Sequence, residues 1–228
     1  MSENRRALIT GASAGFGRAV ALALAERGWQ LIITARGAER LEKVRAETGA
    51  QALVGDIADP AHRDEIARAI DSGRLDLVIN NASALGPSPL PKLERYPVDE
   101  LATVFGVNVV APLEILQRAL PALRASDGVV VNISSDAAVG AYEGWGGYGS
   151  SKAALDQLTA VLGAENPGLR IYSFDPGDMR TEMHQAAFPG EDISDRPEPE
   201  TVVPALLRLL ETRPVSGRYI ASELPVAP

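Results

Sequence analysis

Short apolar runs recur along this chain with amphipathic stretches between them, and that alternation constrains the fold more than any other feature. Ala7–Thr10, Gln30–Thr34, Ala52–Gly55, Leu75–Asn80, Val129–Ile133, Arg170–Phe174 and Gly217–Ile220 read as strands. Gly15–Arg27, Ala38–Glu47, a segment after Pro60, Asp99–Arg124, Tyr148–Leu162 and Glu200–Glu211 read as helices. A strand that reaches the next through a helix enters the sheet parallel to it. The β-branched run at Val129–Ile133 suits burial on both faces. The pattern predicts a doubly wound parallel sheet of about seven strands with helices on both faces. No linker or repeat divides the chain, so residues 1–228 read as one domain. Pro112 is expected either to bend the long helix or to sit where the lost hydrogen bond is tolerated. Residues 177–199, rich in Pro, Gly and acids, read as a long loop and a candidate substrate lid.

Composition narrows the function classes. With 30 acidic against 22 basic residues the net charge is −8, which disfavours nucleic acid and anionic membrane as partners. The chain has no cysteine, which removes thiolate nucleophiles and thiolate metal sites. Its two histidines, His62 and His184, are far apart in sequence and argue against a histidine-rich metal site. The N-terminal stretch lacks the apolar core of a signal peptide, and no segment is long and apolar enough to span a membrane. The default expectation is a cytoplasmic protein.

Two motifs carry chemistry. Thr10-Gly11-Ala12-Ser13-Ala14-Gly15-Phe16-Gly17 lies between the first strand and its helix. Small residues there let backbone N–H groups and the positive helix end meet a diphosphate. At the end of the second strand stands Arg36 rather than an acid, and an arginine there accommodates the 2′-phosphate of NADP. Further on, Tyr148 and Lys152 stand at i and i+4 of a helix, neighbours on one face. An ammonium beside a phenol favours the phenolate and lowers a pKa that is ordinarily about 10. The pair is expected to act as acid and base near neutral pH, with the Ser135 hydroxyl at the same reacting oxygen. With only three lysines, at 43, 92 and 152, a chance Tyr-x-x-x-Lys match is uncommon.

In order and spacing these residues resemble the short-chain dehydrogenase/reductase family. Thr10–Gly17 resembles its TGxxxGxG loop, and Asp56-Ile57 its acidic-apolar pair at the adenine. Asn80-Asn81-Ala82-Ser83 resembles NNAG with serine for glycine. Asn108 resembles the helix asparagine, Ser135 the catalytic serine, and Tyr148 with Lys152 the YxxxK pair. Pro176-Gly177 with Thr181 resembles the segment that holds the nicotinamide carboxamide. The resemblance implies a Rossmann fold and hydride transfer between NADP(H) and a carbonyl or alcohol, with Tyr148 as general acid/base. It implies that Ser135 bonds the reacting oxygen and that Lys152 bonds the nicotinamide ribose. It implies that Asn108 holds a water for proton resupply, and that Gly11, Ser13, Gly15, Phe16, Gly17, Asn81 and Ala82 line the cofactor site.

Ala84, Leu85, Tyr142, Trp145, Met179, Met183 and His184 are candidate pocket residues and suggest a small apolar or aromatic substrate. Asp136 reads as a solvent-facing turn residue and His184 as an exposed lid residue. The helices at 99–124 and 148–162 are expected to pair in a homodimer. The alternative reading is a non-catalytic NADP-sensing binding protein on the same fold.

Overall fold

The computed structural model describes residues 5–71 and 73–225. The other positions, including the first residues of the N-terminal stretch read against a signal peptide, lie outside the described residues. Seven strands form one parallel sheet: β1 (Arg6–Thr10), β2 (Gln30–Ala35), β3 (Gln51–Val54), β4 (Leu77–Asn80), β5 (Val129–Ile133), β6 (Arg170–Asp175) and β7 (Gly217–Ile220). Their order is β3-β2-β1-β4-β5-β6-β7, so the sheet is doubly wound in a Rossmann topology and the winding reverses between β1 and β4.

Helices α1 (Gly15–Glu26), α2 (Ala38–Thr48), α3 (Pro60–Asp71), α4 (Val98–Phe105), α5 (Ala111–Ser126), α6 (Gly146–Glu165), α7 (Glu182–Ala187) and α8 (Val203–Thr212) complete the chain. Side chains alternate across the strands and fill two cores. Ala7, Ile9, Ile33, Ile79, Val131 and Phe174 pack on one face with Phe16, Val20 and Leu24 of α1 and Leu206 of α8. Leu8, Ile32, Val78, Val130 and Ile171 point the other way onto Ile66 and Ile70 of α3 and Ile115 and Leu116 of α5. Because this period is two, a one-residue slip would exchange the two cores, so the register is strongly specified.

The long helix expected over residues 99–124 is interrupted. A single π-helical stretch, Gly106–Val110, separates α4 from α5, and Pro112 falls in the first turn of α5. The backbone stays helical from α4 into α5, so the N–H that Pro112 lacks falls inside a continuous helix, where the π-helical stretch already replaces the regular bonding ladder. The expected loop at 177–199 contains α7, whose first turn is capped by the Thr181 hydroxyl accepting from the His184 N–H at 3.1 Å. Among the described residues, no helix is long and apolar enough to cross a membrane.

Edge strand β7 is only half-buried, and Arg218 fastens it. Its guanidinium donates to Asp156 on α6 at 3.1 Å, to Asp175 on β6 at 2.7 Å and to the Ser135 carbonyl at 3.1 Å. Removing one member of a buried ion pair strands the other charge away from water. Arg218→Ala is therefore expected to lower unfolding free energy by about 3 kcal/mol in urea titration. Arg45→Ala, which breaks only the exposed pair with Glu42, should leave the midpoint nearly unmoved.

Candidate active site

Parallel strands all end on one side of the sheet, and the crevice beyond the winding reversal is where such sheets take ligands. The loops after β1 and β4 meet there. The Thr10 hydroxyl accepts from the N–H groups of Asn81 and Ala82, both at 3.0 Å. The Asn81 amide donates to the carbonyls of Thr10 and Gly11 at 3.0 and 3.1 Å. A Cβ on Gly17 would collide with the Asn81 amide and the Gly11 carbonyl, so only glycine lets α1 start this close to the β4 loop.

These loops open into a cavity of about 900 Å³. At its β1 end, α1 begins at Gly15 with no side-chain cap and no acid in its first turn. The unpaired N–H groups and helix dipole there suit a diphosphate. Gly11, Gly15, Phe16 and Arg36 line this end, and so does Arg18, which sequence reasoning passed over. Its signal was its place one residue after the last glycine of the loop. Arg36 is well exposed and lies 3.9 Å from Asp56.

Four expected cofactor residues border the cavity without lining it. Ser13 and Gly17 belong to the loop but do not face the space. The Asp56 carboxylate accepts from the Ala58 N–H at 2.9 Å. Ile57 is buried in the second core, and its carbonyl takes a bond from Arg63.

Ser135, Tyr148, Lys152, Asn81, Ala82, Pro176, Gly177 and Thr181 all line the same cavity. Tyr148 and Lys152 come from α6, whose start lies against the turn after β5, where a Cβ on Gly149 would collide with the Ala137 carbonyl. Lys152 is buried, and its Nζ donates to the Ile133 carbonyl at 2.7 Å, 5.5 Å from the centre of the Tyr148 ring.

The surroundings of the pair shift both groups by burial, which helical spacing alone does not show. Burial pushes Tyr148 up to about 12, while the hydroxyls of Ser83 and Ser135 pull it back and Asp175 and Asp136 push it further. Burial also lowers Lys152 to about 8, against support from Asp156. Desolvation disfavours both charged forms, and the lysine charge does not reverse it.

The Asn108 side chain is bonded throughout by protein. Its Oδ1 accepts from the Ala84 N–H at 2.7 Å and the Ser83 hydroxyl at 3.2 Å. Its Nδ2 donates to the Ala84 carbonyl and the Ser151 hydroxyl, both at 2.9 Å. With all four bonding directions taken by protein, the side chain braces the β4 loop against α6. Ser83, the serine that stands for glycine in the NNAG-like stretch, thereby gains a place beside the Tyr148 phenol that a glycine could not fill.

The far end of the cavity is apolar. Leu85, Ala137 and Tyr148 cluster with Trp145, Met183 and Phe188. Trp145 meets Tyr148 edge-on at 5.8 Å and Phe188 at 5.9 Å. Tyr142 and Met179 also face the space, whereas Ala84 does not. His184 is not the exposed lid residue expected: its side chain is 9% exposed and packs on Phe188 at 4.9 Å, in a helix whose first turn Thr181 caps.

The family model for short chain dehydrogenases matches residues 5–192. The chain belongs to the short chain dehydrogenase family. It is accordingly an oxidoreductase, and similar proteins bear this out. A serine 3-dehydrogenase of Agrobacterium fabrum is 39% identical over 184 residues, 77% of this chain and 72% of that protein. A sepiapterin reductase of Meriones unguiculatus is 35% identical over 199 residues, covering 79% and 76%. A short chain dehydrogenase of Shigella flexneri, solved in complex with NADP, superposes with a TM-score of 0.89 at 31% identity, covering 96% of this chain and 98% of that one.

Burying Lys152 has a cost that pH exposes. With a folded pKa of about 8 and an ordinary value of 10.5, the penalty is complete below pH 8 and disappears as pH rises through 10.5. This short chain dehydrogenase should thus gain stability from Lys152 between those values. Lys152→Met is expected to be more stable than wild type by about 2 kcal/mol at pH 7.5, with the gap closing toward pH 10. Denaturant titrations at both pH values check the prediction.

Proposed function

We propose that this short chain dehydrogenase interconverts a carbonyl and an alcohol on a small apolar or aromatic compound, using NADP(H). The observation that supports it best is the convergence of Ser135, Tyr148 and Lys152 on one cavity wall, with the glycine loop at the other end. NADP(H), held along this cavity, would supply the hydride chemistry at the carbonyl or carbinol carbon. Tyr148 gives its proton to the oxygen during reduction and takes one from the alcohol during oxidation. Ser135 holds that oxygen in place. Lys152 bonds the nicotinamide ribose, and its charge favours the phenolate once the site is assembled. Asn108 holds Ser83 and the β4 loop in register with α6. Gly11, Gly15 and Phe16 cradle the diphosphate, with Asn81 and Ala82 beside it, and Arg18 and Arg36 flank the phosphate end. Pro176, Gly177 and Thr181 orient the carboxamide.

Two relatives of known structure are described as complexes with NADP or NADPH, one from Shigella flexneri and one from Escherichia coli, which supports the NADP reading alongside Arg36. A ligand that binds only the folded state adds about 2.7 kcal/mol at a hundredfold excess over Kd. A thermal shift with NADPH well above that with NADH is expected, and the reverse order would overturn the role of Arg36. Tyr148→Phe should keep the NADPH shift while losing about a hundredfold or more in turnover of a carbonyl panel. Full turnover by that variant would remove Tyr148 as the acid/base.

We also infer a two-fold dimer through α4, α5 and α6, where Val98, Val110 and Val161 are exposed. Light scattering should read twice 24.1 kDa, and a particle of 24.1 kDa would reject the dimer.

A further inference from the structure

The carboxylate that bonds Ser135 has no role in the reaction as described. Asp136 follows Ser135 directly, opens the short turn Asp136–Ala138 and lines the cavity with its side chain exposed. The Ser135 hydroxyl donates to Asp136 Oδ1 at 3.0 Å and accepts from the Ala137 N–H at 3.2 Å. The Tyr142 hydroxyl bonds the same carboxylate. Among the described residues no lysine, arginine or histidine pairs with it. Asp175, the other acid near Tyr148, is by contrast held by Arg218 at 2.7 Å.

This arrangement works against the reaction on a plain alcohol or ketone. The Ser135 hydroxyl, which the reaction needs at the substrate oxygen, is drawn toward Asp136 as a competing acceptor. The unpaired negative charge also opposes formation of the Tyr148 phenolate. A substrate cation would relieve both effects at once. An ammonium bound by Asp136 would weaken the pull of the carboxylate on the Ser135 hydroxyl and offset its negative charge near Tyr148. Because Ser135 Oγ and Asp136 Oδ1 are 3.0 Å apart, atoms bonded to each sit close enough to be carried on adjacent carbons. Beyond them the wall is Trp145, Met183 and Phe188, which suits an apolar or aromatic remainder.

We propose that Asp136 is a specificity-determining residue that binds a substrate ammonium, so that the site takes vicinal amino alcohols and the matching α-amino carbonyl compounds. The proposal rests on Ser135 and Tyr148 holding the reacting oxygen.

The test compares 2-amino-1-phenylethanol with 1-phenylethanol as substrates for the wild-type protein with NADP⁺ at pH 7.5, where the amine is charged. The expected kcat/KM ratio is about tenfold or more in favour of the amino alcohol, and Asp136→Asn should bring it to about one. A wild-type ratio near one, or a ratio unchanged in Asp136→Asn, overturns the proposal, while turnover of 1-phenylethanol that depends on Tyr148 leaves the oxidoreductase reading standing. Calorimetry of the amino alcohol against the protein–NADPH complex supplies a readout independent of turnover. Binding that Asp136→Asn weakens about tenfold supports the ammonium site even if neither compound reacts. Equal binding by both forms, or none by either, overturns it.

Discussion

The contact between the loop after β1 and the loop after β4 is the constraint on which the rest of the site depends. Thr10 and Asn81 exchange side-chain and backbone bonds across the point where the sheet reverses its winding. One side of that knot is the glycine loop and the uncapped start of α1. The other leads within two residues to Ser83 and Ala84, which Asn108 ties to α6. The phosphate end and the proton-transfer end are thus two halves of one hydrogen-bonded assembly. A displacement of either loop would reach Tyr148 through no more than a few bonds.

Electrostatically the centre is held away from its preferred state. A lysine and a tyrosine are both buried where neither charged form is favoured, and two aspartates add negative potential to the phenol. Catalytic sites commonly keep such tension, since groups relaxed by their own surroundings have little left to offer a reactant.

Much of this was legible in the chain, and the exceptions share a cause. The strands could be read because parallel strands buried on both faces leave runs such as Val129–Ile133 that little else explains. The Tyr148–Lys152 pair could be read because i and i+4 neighbours are fixed by helix geometry alone. What escaped depended on distant parts of the chain. The direction of the Tyr148 shift follows from burial, which spacing cannot reveal. The partners of Asn108 lie 24 and 43 residues away. His184 packs on a phenylalanine four residues after it, in a helix whose first turn is capped three residues before it. Arg218 gave no local sign that its charge would span β6, α6 and the Ser135 backbone.

The close seating of α6 on the turn after β5 bears on how such a protein can diverge. Gly149 and Gly17 admit no side chain without moving backbone, so those positions are closed to drift whatever the substrate. The far wall is built instead from side chains on α7, its flanking loop and the approach to α6, such as Met183, Phe188 and Tyr142, which line the cavity. Mutational walks toward new substrates are therefore channelled into that wall, while the hydride and proton geometry is inherited unchanged.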